Sequence, residues 1–179
     1  MAKKTYKKDR EYKRLIIGLC FLFVFGGGFI LYLSWPLLTG TTIVIDTMPV
    51  DPFDPFRGQY IIINYEISRV DSVEGAEQGD KVYVSLAPDE EDVWRLEKVS
   101  LTKPEIGVFM KGNVKSISGN NMRIEYGIEQ FFFERNAQLP TRNMTVEVKV
   151  DSSGRARINQ LLYNGEPVVI DYKEVSISS

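Results

Sequence analysis

Side chains of the types that perform catalysis are scarce in this sequence. Its 179 residues include no histidine and one cysteine, Cys20. This excludes Ser-His-Asp and Cys-His nucleophiles, histidine-bound zinc and an intrachain disulfide. Acidic residues are plentiful, but no spacing singles out a pair for glycoside cleavage. The acidic run at residues 89–92 lacks the alternating spacing of a calcium loop and is predicted to be a solvated turn. We therefore predict no metal site, no cofactor and no catalytic residue.

Thr47 and Lys81 form the strongest catalytic alternative. They lie in Thr-Met-Pro and Gly-Asp-Lys segments that faintly resemble the nucleophile and base regions of serine-lysine membrane peptidases of the signal peptidase type. A working pair would require Lys81 to be desolvated, neutral and within hydrogen-bond reach of Thr47. The usual serine is absent, and Lys81 begins a polar strand where solvent keeps an amine charged. We therefore expect a protein that is not an enzyme.

Charge is distributed unevenly along the chain. Residues 1–14 hold seven Lys or Arg and two acidic residues, whereas the remainder holds fifteen basic and twenty-two acidic residues. A basic stub is thus joined to an acidic body. Because contacts with phosphates need a basic face, this balance argues against nucleic acid as a partner of the body.

Residues 15–38 contain no charged side chain. As a helix they extend about 36 Å, enough to cross a hydrocarbon core of about 30 Å, so we predict one transmembrane helix. The positive-inside rule then places residues 1–14 in the cytoplasm and residues 39–179 outside the cell membrane. Tyr32 and Trp35 suit the interfacial belt at the outer end of the span.

A cleaved signal peptide is the alternative interpretation of this segment. Gly26 and Gly28 have the small-x-small spacing of a cleavage site, but the apolar run continues beyond them. Cys20 follows a leucine, so it is read as an apolar side chain of the span rather than a lipid attachment site. The Gly26-Gly27-Gly28 triplet is better explained by tolerated flexibility in a lone anchor, and close packing against a second membrane helix is the alternative.

Beyond residue 39 the sequence has the pattern of short strands. Residues 144–150, Met-Thr-Val-Glu-Val-Lys-Val, are apolar at every second position, which is the period of a half-buried strand. Asn164-Gly165 is the dipeptide of a type I′ hairpin turn. Further strands are predicted over residues 41–45, 58–67, 81–87, 93–101, 107–117, 122–126, 155–163 and 167–177. The exported part is therefore predicted to be an all-β domain, a sandwich or partly open barrel of about eight or nine strands.

A recognisable motif lies at residues 58–65, which read Gly-Gln-Tyr-Ile-Ile-Ile-Asn-Tyr. It resembles the signature of the GDYXXLXY-domain proteins of bacteria. Gly58, Tyr60 and Tyr65 match that signature, Ile63 stands for its leucine and Gln59 for its aspartate. The aspartate-to-glutamine departure favours a structural motif over a catalytic or metal-binding one.

Two later segments extend the resemblance. Residues 126–134 are similar to the second recurring stretch of the family, and residues 150–168 are similar to its ending. The resemblance implies no particular reaction. It does imply an association with multi-spanning membrane domains, because family members often occur beside such domains or fused to them.

The motif predicts either a structural corner or a site for a ligand or partner. Gly58 permits a turn that a Cβ would forbid, and Tyr60 and Tyr65 are five residues apart, so their side chains lie on opposite faces of a strand. Arg57 is expected to pair with a carboxylate of the second block. Three consecutive phenylalanines at residues 131–133 cannot all face the core. The candidate binding residues are accordingly Arg57, Gly58, Tyr60, Tyr65, Glu129, Phe132 and Glu134.

These features together predict a membrane-anchored, non-catalytic extracytoplasmic module. Its expected partners are the lipid bilayer and a multi-spanning membrane protein to which it serves as an accessory subunit. Two alternatives remain: the peptidase with Thr47 and Lys81, and an anchored domain that binds a soluble or cell-wall ligand.

Overall fold

The computed structural model describes residues 2–48, 60–132, 137–138, 144–168 and 171–172. Within these residues one α-helix, α1, spans Ala2–Thr39, and a 3₁₀ turn spans Glu66–Ser68. The strands within these ranges are β1 Thr41–Asp46, β2 Tyr60–Ile62, β3 Arg69–Asp71, β4 Lys81–Pro88, β5 Trp94–Ser100, β6 Val108–Ser118, β7 Asn121–Glu125, β8 Gln130–Phe132, β9 Ala137–Gln138, β10 Met144–Val150, β11 Ala156–Tyr163, β12 Glu166–Pro167 and β13 Asp171–Tyr172. The predicted all-β domain after one helix is confirmed. The segments exceed the predicted eight or nine because several pair over only two or three residues.

Helix α1 covers both the basic stub and the uncharged span. Its portion Glu11–Thr39 is long and apolar enough to cross a membrane, and in the part of the chain that the structure describes it alone meets that criterion. None of its apolar window is buried against the β domain. The helix therefore projects from the domain with its apolar surface uncovered.

Two antiparallel sheets form the body of the domain. One has the strand order β1-β10-β11-β12 and the other β3-β7-β6-β4-β5, while β2-β8 and β9-β13 form two-stranded ladders. A parallel bridge between Val44 and Val93 connects β1 to the segment that leads into β5. This bridge brings the edges of the two sheets together, and the structure approaches a barrel.

The core lies between the sheets and follows from the alternating sequence pattern. In β10 every second residue from Met144 to Val150 is buried, as predicted, and β4 buries Val82, Val84 and Leu86 in the same way. These side chains belong to one continuous hydrophobic cluster. Each fully buried aliphatic side chain stabilises the fold by about 1.5–3 kcal/mol, so the domain has a sizeable core without a disulfide.

Two local predictions can be compared with the backbone. The type I′ turn is confirmed, since Asn164 and Gly165 have φ angles of 51° and 83°. The continuous strand over residues 58–67 is wrong: β2 ends at Ile62, and the chain makes the 3₁₀ turn before β3 begins. The reason is that this segment passes from one ladder to the next, which requires a bend between them.

Candidate functional site

The two motif blocks, which lie about 60 residues apart in sequence, pair with each other along one antiparallel path. Tyr60 lies opposite Phe132 in the β2-β8 ladder, and Arg69 lies opposite Arg123 in the β3-β7 ladder. Arg69 lies nine residues after Tyr60, and Arg123 lies nine residues before Phe132. The two ladders therefore share one register, with no extra residue on either side between them. The gap is spanned in part by the amide of Ile63, which donates to the carbonyl of Glu129 at 2.7 Å.

Two buried tyrosines hold the bend between these ladders. The hydroxyl of Tyr65 donates to the carbonyl oxygen of Ile128 at 2.6 Å, and the hydroxyl of Tyr126 donates to the carbonyl oxygen of Ile67 at 2.6 Å. The segment that contains each block thus supplies one tyrosine hydroxyl to the backbone of the other segment. Tyr65 is fully buried and Tyr126 is 8% exposed. We call this arrangement the tyrosine corner.

Glu129 completes the tyrosine corner from the second block. Its carboxylate accepts hydrogen bonds from the backbone amides of Tyr126 and of Gly127, the latter at 2.9 Å. These bonds fix the turn that carries the chain from β7 into β8. The carboxylate thus serves as the hydrogen-bond acceptor for two backbone amides that the bend would otherwise leave without a partner.

Burial controls the protonation of the two phenols. Loss of solvent raises the pKa of Tyr65 well above its usual range, and the nearby negative charge of Glu129 raises it further. The same two causes, in the same order, raise the pKa of Tyr126. Both hydroxyls therefore remain protonated donors at physiological pH, as their hydrogen bonds to carbonyl oxygens require.

The structure places the predicted binding residues unequally. Tyr65 and Glu129 meet in the tyrosine corner, where the polar groups described above are used by the fold itself. Tyr60 and Phe132 are paired by their backbones at the end of the β2-β8 ladder. Phe131, the first of the three phenylalanines, packs partly buried against the core. The remaining candidates, Arg57, Gly58 and Glu134, lie outside the described residues.

The Thr47 and Lys81 alternative lacks the surroundings that its chemistry needs. The hydroxyl of Thr47 donates to the carbonyl of Met144 at 2.6 Å. Lys81 is exposed at the start of β4 and pairs through its backbone with Asn113. A lysine base must be desolvated, and no such burial is present around this side chain.

The junction between helix and domain is a second feature of functional interest. Only Gly40 separates the end of α1 from the start of β1, and its amide donates to the carbonyl of Pro36 at 2.8 Å. A Cβ at this position would lie 2.3 Å from that carbonyl oxygen and 2.9 Å from the amide nitrogen of Val150. Only glycine fits at this position, because the helix ends directly against β10.

A buried carboxylate strengthens this junction, and the residue patterns in the sequence did not single it out. Asp151, with 3% of its side chain exposed, accepts hydrogen bonds from Ser153. It also forms an ion pair with Arg155 at 2.8 Å. The Arg155 guanidinium lies 4.4 Å from the ring centroid of Tyr32 in the helix. Cation–π contacts of this kind contribute about 0.5–2 kcal/mol. In the sequence this Asp-Ser-Ser-Gly-Arg segment lies within residues 150–168, the range that is similar to the ending of the family.

Arg95 forms a further cluster that sequence reasoning missed. Its guanidinium contacts the carboxylates of Asp46 at 2.6 Å and Asp89 at 2.9 Å, and that of Glu66 as well. The hydrogen bond from Arg95 is the main cause that lowers the pKa of Asp89. The acidic run at residues 89–92 does form a turn between strands, but the expectation that it is merely solvated is wrong for Asp89. One arginine here links β1, the 3₁₀ turn and the β4-β5 turn.

Metal ligands are not grouped in the part of the chain that the structure describes. Within it, no three His, Cys, Asp or Glu side chains are placed so that they could hold a metal ion together. The acids around Arg95 surround a cation that belongs to the protein itself.

Comparison with models of protein families gives a match. A family model described as "GDYXXLXY protein" matches residues 22–161, a range that includes the second half of α1, both tyrosines of the corner and the Asp151–Arg155 contact. No curated protein and no solved structure matches the chain significantly.

Proposed function

Because this chain belongs to the GDYXXLXY protein family, we propose that it is a membrane-anchored, non-catalytic module that acts as an accessory subunit of a membrane complex. In this proposal the helix α1 spans the cell membrane with residues 1–14 inside, and the β domain lies on the outer face. The partner is a multi-spanning protein in the same membrane, in keeping with the membrane domains that the family resemblance implies.

The observation that carries this proposal is the short junction between α1 and the β domain, where only Gly40 separates helix from strand. A flexible linker would let an anchored domain search the space above the membrane for a soluble ligand. Here Gly40 and the Arg155–Tyr32 contact leave no linker. A rigid anchor fixes the height and tilt of the domain, which suits contact with a neighbour held in the same plane, because confinement to that plane raises the effective concentration of the partner.

The surface of α1 supports a helix partner. Among the described residues, nothing outside the neighbouring helix backbone lies within 4 Å of the position of a Cβ at Gly26, Gly27 or Gly28. At 100° per residue, three consecutive glycines remove side chains around more than half of the helix circumference. This narrow segment of the helix, which we call the glycine waist, allows another backbone to approach closely. Because the described part of the chain does not use this space, substitutions there test the partner without disturbing the fold.

Photo-crosslinking in native membranes tests the partner. A photoreactive phenylalanine analogue in place of Phe25, an exposed side chain beside the glycine waist, should form an adduct with a membrane protein. Replacement of all three glycines by leucine should abolish that adduct. Gly18→Leu is the matched control, since Gly18 also has open space around it and lies about 12 Å away along the helix. It should leave the adduct intact.

Three outcomes would contradict the proposal. The first is recovery of no membrane partner, together with unchanged behaviour when residues 15–38 are replaced by an unrelated poly-leucine anchor. That result would favour the anchored domain that binds a soluble or cell-wall ligand. The second is protection of residues 144–168 from protease added to intact protoplasts, which would overturn the orientation. Release of the domain from the membrane would instead identify α1 as a cleaved signal peptide.

A further inference from the structure

An isoleucine at the tip of a loop is almost completely exposed beside the helix junction. Residues 101–107 connect β5 to β6 without regular structure, and Ile106 is 89% exposed. Ile106 is the most exposed of the large apolar side chains described, those of α1 included. The adjacent Gly107, with a φ of +87°, turns the chain back into β6.

This loop lies at the end of the domain from which the helix emerges. Ile106 lines a cleft of about 720 Å³ together with Thr39, the last residue of α1, and Thr41, the first residue of β1. Asp151 and Ser152 of the β10-β11 turn also line this cleft. The loop, the helix end and this turn therefore share one small region.

The β10-β11 turn sets the depth of that region relative to the helix. Arg155 in this turn contacts the ring of Tyr32, which precedes Thr39 by seven residues and so lies about 10 Å farther down the helix axis. Tyr32 and Trp35 are exposed aromatic side chains of the kind that occupy the interface of a membrane. The β10-β11 turn thus reaches the helix at the level of its aromatic side chains.

We propose that the loop of residues 101–107 is a second membrane contact of this protein, in which Ile106 inserts into the outer leaflet of the bilayer that holds α1. The proposal rests on the proposed function, since it requires α1 to be membrane-inserted. It assigns the cleft between loop and helix to the headgroup region of the lipids. With two contacts on the lipid surface, the domain has a defined tilt as well as a defined height.

The charges of the loop favour an apolar contact over an electrostatic one. Lys103 and Glu105 bear opposite charges on either side of Pro104. The Lys103 ammonium lies 5.6 Å from the ring centroid of Phe109, on the wall of the cleft. A loop without net charge gains little from anionic lipids. We therefore expect insertion into purely zwitterionic membranes and no release by salt.

Depth-dependent fluorescence quenching of the full chain in phosphatidylcholine liposomes tests this proposal. An environment-sensitive fluorophore is attached at Ile106→Cys or at Asn120→Cys, both in a Cys20→Ala background. Asn120 is the matched control, because it is exposed and follows the far end of β6, about 33 Å from the start of that strand. The unaltered chain, labelled at its own Cys20 in α1, reports whether the helix is inserted.

Each outcome decides a separate point. The label at residue 106 should be quenched by lipid-borne nitroxides at least about twofold more than the label at residue 120, from a depth of about 5–10 Å. Equal quenching at residues 106 and 120, with strong quenching at Cys20, would overturn the loop contact and leave the anchor intact. A requirement for anionic lipid would overturn the apolar contact. An unquenched Cys20 label would instead refute the membrane anchor, and with it both proposals.

Discussion

Removal of the Tyr65 hydroxyl is the most direct perturbation of the tyrosine corner. Tyr65→Phe keeps the ring in its fully buried position and deletes only the donor to the carbonyl of Ile128, a residue that is itself buried. A buried acceptor without a partner costs about 1–3 kcal/mol. The β domain has about 140 residues, and for domains near this size 1 kcal/mol corresponds to about 3–4 °C in Tm. We therefore expect Tm to fall by about 3–12 °C.

Thermal unfolding of the full chain in detergent micelles, followed by near-ultraviolet circular dichroism, measures this effect. Tyr126→Phe should behave similarly, because it removes the donor to the carbonyl of Ile67. The double variant should cost less than the sum of the two, since both hydroxyls hold the same pair of strands. Tyr163→Phe, at an exposed tyrosine, is the control and should change the free energy of unfolding by less than about 0.5 kcal/mol.

Alkaline pH provides an independent readout of the same corner. Burial and then Glu129 raise the pKa of Tyr65 and Tyr126 in the folded state, so the folded chain retains both protons at a pH where the unfolded chain releases them. The contribution of the two tyrosines to the free energy of unfolding is therefore fully present below pH of about 10 and is lost as pH rises above it. The double variant should lose less stability over that interval. A Tyr65→Phe variant as stable as the wild type, with an unchanged alkaline profile, would refute this account of the corner.

Three further predictions concern Glu129, Gly154 and Asp151. Glu129→Ala should lower the free energy of unfolding, measured by urea titration, by about 1.5–3 kcal/mol, because two backbone amides lose a charged acceptor. Glu129→Gln keeps one oxygen and should lower it less. Equal losses in the two variants would contradict the role of Glu129 as an acceptor for these amides. Gly154→Ala should cost more than Gly75→Ala in thermal unfolding: both glycines have positive φ, but only at Gly154 would a Cβ meet an aromatic ring, that of Phe109 at 2.7 Å. Burial alone would raise the pKa of Asp151, but hydrogen bonds from Ser153 and Arg155 outweigh it and lower the pKa. The contribution of Asp151 to the free energy of unfolding is therefore present above pH of about 4 and is lost as pH falls below it. In unfolding measured from pH 7 to pH 3, Asp151→Asn should reduce this loss of stability.

Local patterns in the sequence were sufficient for much of the architecture. The uncharged stretch of residues 15–38 predicts a helix, and strict alternation predicts β10 with its observed bounds, Met144–Val150. Asn164-Gly165 predicts its turn type. Such features depend on the periods of helix and strand and on the φ preferences of single residues, all of which can be read within a short window. The family was recognisable for the same reason, because its motif at residues 58–65 is contiguous.

The tertiary structure alone decided which distant residues meet. Tyr65 and Glu129 were both candidates, but their convergence in one corner depends on two segments about 60 residues apart pairing in a single register. Arg95 gathers carboxylates from three elements, and Arg155 reaches Tyr32 across 123 positions. Contacts of this kind follow from sheet order and loop closure, which local propensity does not encode. Since a side chain acquires its partners only when the sheets assemble, spacing along the chain cannot show whether a tyrosine serves the core or an external ligand.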